Sequence, residues 1–503
     1  RSTLFPYTTL FRSLELMYHL TPEHRKDNFL EVIPDGYSEE DAVKEASRCL
    51  ECGCHDYFEC KLIDFARQYD VEPQRFAGEK NGIEFTDDHP FIVRDPNKCI
   101  LCGLCVRVCD EVMGIGALGL VNRGFDTVVK PNLEKPLAES GCVSCGQCVN
   151  VCPVGAIQER QSVVKEVPVK TEKTSTTCGY CSVGCSLEIE SCGDMLIKAV
   201  PEKEGYVNRG LSCGKGKWGF DCAVLEGKIE EPMIKRDGEF IAVDYHDVMM
   251  VIAKKVQALK AKYGEESVAV SISDRYTNEE AYALKLMAET IGAKVLCFNS
   301  RKNPLQDILG LNASPNTIDE LLSTDLIIAT AFQTKDNPII QLKLRMAAEK
   351  GAKVILINPE GFEQGHFEFA HEEIYTSNDT QFLKEVAKAI IDSGKAKTVF
   401  GIEKLEKSLK DIKVSVKAQE VADLYLGAKK AMITYMQNFA SEETAALLGN
   451  IALLSGHIGS PRDGILLIRP KNNSQGLVDM GIVEGQEADR KSTRLNSSHL
   501  ELS

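Results

Sequence analysis

The sequence lacks a long apolar stretch and an excess of positive charge, and its second half contains only one cysteine. No run of about 18 apolar residues occurs, so we expect no membrane span. Lysine and arginine total 59 against 74 aspartates and glutamates, which gives a formal net charge of −15. This deficit of cations argues against nucleic acid as a partner, because nucleic-acid binding neutralises phosphates with Lys and Arg.

The two ends also lack pattern. Residues 1–13 and 490–503 show neither helical nor strand periodicity, and the first residue is not Met. Both stretches resemble translated sequencing-library adapter, with a disordered tail at each end as the alternative. We therefore expect the chain to be a fragment cut at both ends. The residues between them suffice for three or more domains with hydrophobic cores.

Cysteine is abundant, but nearly all of it lies in the first half of the chain. Sixteen of the 19 cysteines form four groups between Cys49 and Cys213, and after Cys222 only Cys297 remains. Disulfide frameworks are typical of short secreted chains, so clustering at metal-ligand spacing favours metal sites here. Cys297 and the other two cysteines outside the groups are expected to be buried core thiols.

Two groups share the spacing C-x2-C-x2-C-x3-C: Cys99, Cys102, Cys105 and Cys109, and then Cys142, Cys145, Cys148 and Cys152. This spacing is typical of two-cluster ferredoxins, in which the fourth cysteine of each motif serves the other cluster. We therefore predict one [4Fe–4S] cluster on Cys99, Cys102, Cys105 and Cys152, and a close neighbour on Cys142, Cys145, Cys148 and Cys109. Gly103 and Gly146 are expected to relax the turns so that backbone N–H groups point at sulfur. Zinc is the alternative, although it usually takes two C-x2-4-C pairs.

The remaining groups are less regular. Cys178, Cys181, Cys185 and Cys213 form C-x2-C-x3-C-x27-C around a segment that alternates like short antiparallel strands. Cys49, Cys52, Cys54 and Cys60 follow a predicted helix, Glu39 to Arg48, with Ser38 as N-cap. We predict a [4Fe–4S] cluster at each group, about four in all. Zinc remains the alternative for both, and in the Cys49 group His55 is a substitute ligand.

The C-terminal half has a βαβ pattern. Predicted elements alternate strand, helix, strand over Ser267–Ile272, Asn278–Ile291 and Lys294–Phe298, and again over Leu326–Thr330, Ile339–Lys350 and Lys353–Ile357. Such repeats predict a parallel sheet covered on both faces, with ligands at the carboxyl ends of its strands.

These residues resemble known families. CILCGLCVRVCDEV and GCVSCGQCVNVCPVGAI resemble the double-cluster module of NAD-linked formate dehydrogenases, hydrogenases and complex I. From Cys178 onward, CGYCSVGC, LSCGKGKWGF, LLSGHIGSP and NNSQGLVDMG are similar to the molybdopterin oxidoreductase family, nearest to formate dehydrogenases. Residues 20–78 resemble a cluster segment of glutamate-synthase-small-subunit-like proteins.

The resemblance implies a multidomain α+β and α/β protein, with a ferredoxin-like double-cluster module followed by a molybdopterin-oxidoreductase-type fold with parallel βαβ sheets. The expected domains are a helical linker with the first cysteine group (14–80), the double [4Fe–4S] ferredoxin module (81–165), a [4Fe–4S] N-terminal domain (170–228) and a truncated α/β domain (229–487). It also implies a flavin and NAD(P)-binding domain or subunit and a ferredoxin-like carrier as partners, and a cytoplasmic location.

The expected catalytic site departs from the family. Lys215 matches the family's lysine between cluster and pterin, and Arg469 its substrate-binding arginine, although Pro470 and Lys471 replace Gly and Gln. The metal ligand falls at Cys297 or at Arg301, and no His follows either position. Pterin contacts are expected from Asn472, Asn473 and Gln475.

Three functions follow as hypotheses. We favour an electron-transfer subunit of an NAD(P)H- and ferredoxin-linked oxidoreductase, such as a bifurcating transhydrogenase, that has lost the active metal. The alternatives are the catalytic subunit of a molybdenum or tungsten bis-pterin formate dehydrogenase, and a scaffold that only docks partners. Sixteen grouped cysteines count against the scaffold.

Overall fold

The computed structural model of the chain describes residues 19–26, 36–47, 61–72, 75, 78–79, 81–85, 89–160, 170–220, 229–297, 300–362 and 367–483. These residues form two compact units: one ends at Glu172 and includes Ser191–Ile197, and the other comprises Lys173–Glu190 and the chain from Lys198 onward. Within the described residues, no helix has both the length and the apolar character needed to cross a membrane. The first cysteine group, Cys49 to Cys60, with His55, lies outside them, so its role stays a prediction.

The first unit begins with three short helices, α1 (Pro22–Arg25), α2 (Glu39–Ser47) and α3 (Lys61–Gln68). Ser38 precedes α2, and its Oγ accepts a hydrogen bond of 3.1 Å from the Asp41 N–H. A side-chain oxygen in this position satisfies one of the backbone donors left free at a helix start. The predicted helix and its N-cap are therefore confirmed.

The double-cysteine segment is built from two antiparallel strand pairs and two short helices. The elements are β1 (Ile92–Arg94), α4 (Leu104–Arg107), β2 (Leu118–Val121), β3 (Val128–Pro131), α5 (Gln147–Val151) and β4 (Ile157–Glu159). β1 pairs with β4, and β2 pairs with β3. Because the first and last strands pair, both cysteine motifs are enclosed between them.

The next elements surround the last cysteine group. Strands β5 (Glu172–Thr177), β6 (Ser186–Cys192) and β7 (Met195–Pro201) form a sheet in this order, and the short helix α6 (Gly214–Trp218) follows. Only Gly193 and Asp194 separate β6 from β7. A two-residue connection joins antiparallel neighbours, so the predicted short antiparallel strands are confirmed.

The C-terminal region starts with a hairpin and a small parallel pair. Its elements are β8 (Met233–Arg236), β9 (Glu239–Ala242), α7 (Tyr245–Tyr263), β10 (Ala269–Ser271), α8 (Asn278–Ile291), β11 (Lys294–Leu296) and α9 (Leu305–Leu309). β8 and β9 are antiparallel, whereas β10 and β11 are parallel. The predicted helix α8 has the predicted bounds, which a capping box of Thr277 and Glu280 and a left-handed Gly292 define.

A five-stranded parallel sheet dominates the remainder. Its elements are β12 (Leu326–Thr330), α10 (Pro338–Glu349), β13 (Lys353–Pro359), β14 (Glu372–Thr376), α11 (Asp379–Asp392), α12 (Ile402–Leu409), α13 (Val416–Gly427), β15 (Ala431–Met436), α14 (Glu442–Ser455), β16 (Gly464–Ile468) and α15 (Ser474–Asp479). The strand order is β14-β13-β12-β15-β16, and every pair is parallel. All residues of β12 and β15 are buried, so both faces of the sheet are covered, as the apolar runs predict.

The strand order fixes where this sheet offers a ligand site. The chain leaves β12 toward β13 and later returns to β12's other side as β15. The switch point therefore lies between the carboxyl ends of β12 and β15. The loop after β12 is held by Asn358 at the end of β13, whose side chain accepts from the Phe332 N–H at 2.8 Å and donates to the Phe332 oxygen at 2.9 Å.

At the opposite edge of the sheet, Asp463 ties the starts of β15 and β16 together. Its carboxylate accepts hydrogen bonds from Lys430 Nζ (2.6 Å), the Ala431 N–H (2.9 Å), Ser460 Oγ (2.9 Å) and His457 Nδ1 (3.0 Å). Burial alone would raise the pKa of this carboxyl, but these donors outweigh it and lower the pKa from 3.8 to about 2.

We expect Asp463→Asn to lower the free energy of unfolding by about 2 kcal/mol at pH 7, because a depressed pKa measures stability stored in the charged form. That contribution is fully present above the unfolded pKa near 3.8 and is lost as the pH falls through about 2. Urea unfolding at pH 7 and at pH 3 measures the difference, which should shrink at the lower pH. The matched control is Asp411→Asn at an exposed carboxylate, and equal loss in both variants would contradict the assignment.

Candidate metal centres

Four cysteines from both double-cluster motifs line the first cavity. The cysteines are Cys99, Cys102, Cys105 and Cys152, and they line it together with apolar side chains that include Ile100, Val129 and Ile157. Three come from the first motif and the fourth is the last cysteine of the second motif. We call this the first cysteine cavity.

The second cysteine cavity has the reciprocal composition. It is lined by Cys109, Cys142, Cys145 and Cys148. Its other lining residues are mostly apolar and include Ile92, Ile115, Leu118 and Leu137. The structure thus brings the cysteines together in the two crossed sets of four that the spacing predicts.

The two tight loops follow the same backbone path. Leu101 and Ser144 have φ angles of 57° and 54°, and the glycines two positions later, Gly103 and Gly146, both have φ of 72°. Each glycine then starts a short helix, α4 or α5. The left-handed conformation strains most side chains but not glycine, which explains why a glycine stands at both positions.

Backbone N–H groups point at sulfur in these loops. The N–H two residues after Cys99 lies 3.3 Å from its Sγ, and the equivalent distance at Cys142 is 3.4 Å. The N–H of Ala117 donates to Cys109 Sγ at 3.2 Å. Hydrogen bonds of this kind favour a charged sulfur, and they match the expected role of the loops.

Burial makes the free thiols hard to ionise. It raises the pKa of Cys105 to about 11 and that of Cys145 to about 12, and it raises the pKa of Cys148 well above its ordinary value. Neighbouring thiols add to each shift, and for Cys148 they include Cys105 of the first cavity. The two cavities are therefore close, and thiolates in them require a positively charged group between them.

The third cysteine cavity contains the fourth motif of the sequence. It is lined by Cys178, Cys181, Cys185 and Cys213, together with residues that include Leu187, Gly216, Asp336, Pro338 and Ile339. The N–H of Cys178 bonds to the oxygen of Cys185 at 2.8 Å, which closes the three-cysteine loop. Cys213 precedes α6 directly. Burial raises the pKa of Cys178, Cys181 and Cys185.

Two lysines of α6 have different environments. Lys215 also lines the third cysteine cavity, and its exposed side chain donates from Nζ to the Lys335 oxygen at 2.7 Å. Lys217 is fully buried (0% exposed) and donates to the Ala199 oxygen at 2.6 Å. The family resemblance points to Lys215 but not to Lys217, because the burial of a lysine depends on packing and is not visible in the sequence.

Cys297 is buried in an apolar cluster. It is 2% exposed and packs with Ile272, Ala281, Leu477 and Ile482. The predicted strand is one correction here: β11 ends at Leu296, whose oxygen accepts from Ile272, so Cys297 follows the strand instead of lying within it. These surroundings are those of a core thiol.

Arg469 is 3% exposed, and protein groups take all five of its N–H donors. Nε donates to Gln475 Oε1 (2.7 Å), and Nη1 donates to the Arg301 oxygen (3.1 Å) and to Gln437 Oε1 (3.0 Å). Nη2 donates to the oxygen of Asn312 (2.7 Å) and to its Oδ1 (3.2 Å). Desolvation by burial lowers the pKa of this guanidinium.

The residues expected to contact a pterin divide into two kinds. Gln475 also donates to the Asn312 oxygen at 3.0 Å, and Asn473 donates to the Tyr276 oxygen at 2.8 Å, so both have protein partners. Asn472 differs, because its Oδ1 is buried without a hydrogen-bond partner among the described residues. A methyl group added at Gly179, beside Cys178, would lie 3.8 Å from Asn472 Nδ2.

Two buried oxygens of the loop after β12 also lack a hydrogen-bond partner among the described residues. They are Thr334 Oγ1 and Asp336 Oδ2, in the loop after β12 at the switch point. Burying a polar atom without a hydrogen bond is costly. A polar ligand such as a pterin therefore fits this loop, whereas Cys297 and Arg469 do not present a metal ligand or a free cation to a substrate.

We expect Arg469→Met to lower the free energy of unfolding by about 3 kcal/mol, because buried carbonyl oxygens lose their donors. Urea unfolding measures the loss. The matched control is Arg462→Met, since Arg462 is exposed and its guanidinium makes one long bond of 3.4 Å to the Ser323 oxygen. An Arg469→Met protein as stable as the control would contradict a structural role for this arginine.

Comparison with known proteins places three segments of the chain. Residues 89–158 match the ferredoxin-like domain of NADH-quinone oxidoreductase subunit 3, residues 171–223 match the molybdopterin oxidoreductase Fe4S4 domain, and residues 228–501 match molybdopterin oxidoreductase. A ferredoxin-like domain is thus followed by a molybdopterin oxidoreductase domain, which confirms the predicted fold class.

Individual relatives are distant. The chain is 25% identical to "Probable oxidoreductase YjgC" of Bacillus subtilis, over 86% of this chain and 51% of the relative. It is 26% identical to "Putative formate dehydrogenase YrhE" of the same organism, over 85% and 51%. It is 25% identical to "NADPH-Fe(3+) oxidoreductase subunit alpha" of Geobacter sulfurreducens, over 86% and 54%.

The chain therefore spans about half the length of the curated relatives that it matches. The Fe4S4 domain confirms the prediction of an iron–sulfur protein. Because the match to the molybdopterin oxidoreductase profile, residues 228–501, covers more than half of the 503 residues, the chain belongs to the molybdopterin oxidoreductase family.

Proposed function

We propose that this chain is the iron–sulfur electron-transfer subunit of an NAD(P)H- and ferredoxin-linked oxidoreductase, with about four [4Fe–4S] clusters. The observation that carries the proposal is the grouping of twelve cysteines into three cavities of four. The Cys49 group, assigned by its spacing alone, would hold the fourth cluster. When bound, such a cluster takes up and releases single electrons.

The chain's own residues supply three things to this task. The thiolates would hold the cluster, and the crossed Cys109 and Cys152 would keep two sites adjacent. The N–H groups of Leu101, Ser144 and Ala117 stabilise negative charge on sulfur. The apolar lining of the cavities would limit the access of water to a bound cluster, and solvent exposure is one of the factors that set its potential.

Two observations support a subunit without an active metal of its own. Cys297 packs in a cluster of apolar side chains, and Arg469 has no donor left for a substrate. One relative is named as the alpha subunit of an oxidoreductase, which supports a multi-subunit assembly. From the family resemblance and the oxygen-sensitive cluster chemistry, we also propose a flavin and NAD(P)-binding partner, a ferredoxin-like carrier and a cytoplasmic location.

A catalytic formate dehydrogenase subunit is the second candidate. The buried oxygens of Thr334, Asp336 and Asn472 that lack partners in the described residues favour it, because a pterin would supply donors to them. Several relatives are named putative formate dehydrogenases. In this case Lys215, beside the third cysteine cavity, would lie between cluster and pterin.

Elemental analysis separates the two candidates. We expect about sixteen irons per chain, as four [4Fe–4S] clusters require, and no molybdenum or tungsten after anaerobic production in a host that makes molybdopterin. Stoichiometric molybdenum or tungsten would contradict the favoured function. About twelve irons with one zinc would assign the Cys49 group to zinc.

Paired substitutions test the crossed ligand sets. We expect Cys102→Ala with Cys152→Ala to remove one cluster, about four irons, and to leave the cluster of the second cysteine cavity with its wild-type EPR signal. Cys102→Ala with Cys109→Ala changes the same number of ligands but should alter both signals, so it is the matched control. If the two outcomes were exchanged, each motif would bind its own cluster.

A further inference from the structure

His89 lies between β1 and the loop that starts at Cys142, and it is 2% exposed. Its Nδ1 accepts the N–H groups of Phe91 and Ile92, each at 3.1 Å. Its backbone oxygen accepts from Arg160 Nε at 3.0 Å. The two backbone N–H groups hold the imidazole in one orientation, and Arg160 fixes the backbone that carries it.

These contacts define the tautomer of the ring. A nitrogen that accepts two backbone N–H groups carries no hydrogen, so the hydrogen of neutral His89 is on Nε2. Nε2 lies 3.7 Å from Cys142 Sγ and 3.3 Å from Ser144 Oγ. The N–H thus faces a sulfur that lines the second cysteine cavity, and it shares its hydrogen bond with the hydroxyl beside it.

Cys99, the cysteine of the first cavity that corresponds to Cys142, differs in this respect. Its loop has the same backbone path, and Cys99 Sγ also accepts the N–H two residues later, at 3.3 Å. The residue equivalent to Ser144 is Leu101, and within the described residues no side-chain N–H is bonded to Cys99 Sγ. Among the described residues, Cys142 Sγ therefore faces a side-chain N–H dipole that the corresponding Cys99 Sγ does not.

We propose that His89 is a positioning residue that hydrogen-bonds the Cys142 sulfur through Nε2–H and raises the reduction potential of the cluster in the second cysteine cavity. Reduction adds negative charge that spreads onto the cysteine sulfurs, and a fixed N–H dipole stabilises that charge. This rests on the proposed function, because it requires a cluster in that cavity.

The test is an EPR-monitored redox titration of the full chain, purified anaerobically, with His89→Phe, which keeps a ring and removes the donor. We expect the second-cavity cluster to titrate at least 59 mV lower, a tenfold change in its electron equilibrium with the first-cavity cluster. The first-cavity cluster should keep its potential and serves as internal reference. His89→Gln, which retains a side-chain N–H, should restore part of the shift.

The other possible results of this titration separate a failure of the His89 proposal from a failure of the proposed function. An unchanged potential, or equal shifts of both clusters, would overturn the role of His89. If the wild-type chain binds no iron in this cavity, the proposed function fails first, and the iron content shows this independently. If His89→Phe prevents assembly, Ser144→Ala replaces it, because losing the competing hydroxyl directs the N–H to sulfur. That variant should titrate higher, and a lower or equal value would reject the proposal.

Discussion

The structure depends on one electrostatic constraint, the burial of cysteine sulfur in groups of four. An isolated thiolate in an apolar cavity is unfavourable, as the raised pKa values of Cys105 and Cys145 indicate. Four together would repel one another unless a positively charged group stands between them. The cavities are therefore stable with neutral thiols or with a bound metal centre, and metal binding must release protons. Backbone donors at Cys99 and Cys142 then favour the charged form locally.

The crossed cysteines link the two motifs, because each cavity takes its fourth cysteine from the other motif. Because Cys109 lines the second cavity and Cys152 the first, neither motif can complete its set without the other. The strands β1 and β4, which lie before and after the two motifs in the chain, pair with each other and so hold the ends of the same segment together. A metal centre on either set would thus cross-link two motifs that lie about forty residues apart. A cross-link of this kind stabilises the folded state mainly by restricting the conformations of the unfolded chain.

The features that could be predicted from the sequence are those that depend on short local patterns of residues. The bounds of α8 follow from its capping box and its C-terminal Gly292, and the crossed sets of four follow from cysteine spacing. The bonds of Arg469 to the Arg301 and Asn312 oxygens could not be predicted, because they join residues more than 150 positions apart. His89 precedes Cys142 by 53 residues, and no periodicity or motif connects them. Such contacts depend on how elements pack, which a one-dimensional pattern does not contain.

Arg469 illustrates that the acceptors around a buried arginine decide whether it can bind an anion. A buried guanidinium must have partners for its donors, and either protein oxygens or a bound anion can provide them. In this chain the side chains of Gln437, Gln475 and Asn312 and two backbone oxygens provide them, so an arriving anion would have to break bonds that are already made. In the loop after β12, Thr334 Oγ1, Asp336 Oδ2 and Asn337 Nδ2 are buried without hydrogen-bond partners among the described residues. The loop therefore offers acceptors and a donor, because the Thr334 hydroxyl can act as either and the Asn337 amide nitrogen donates. The switch point of the sheet is therefore suited to a polar ligand that both donates and accepts hydrogen bonds.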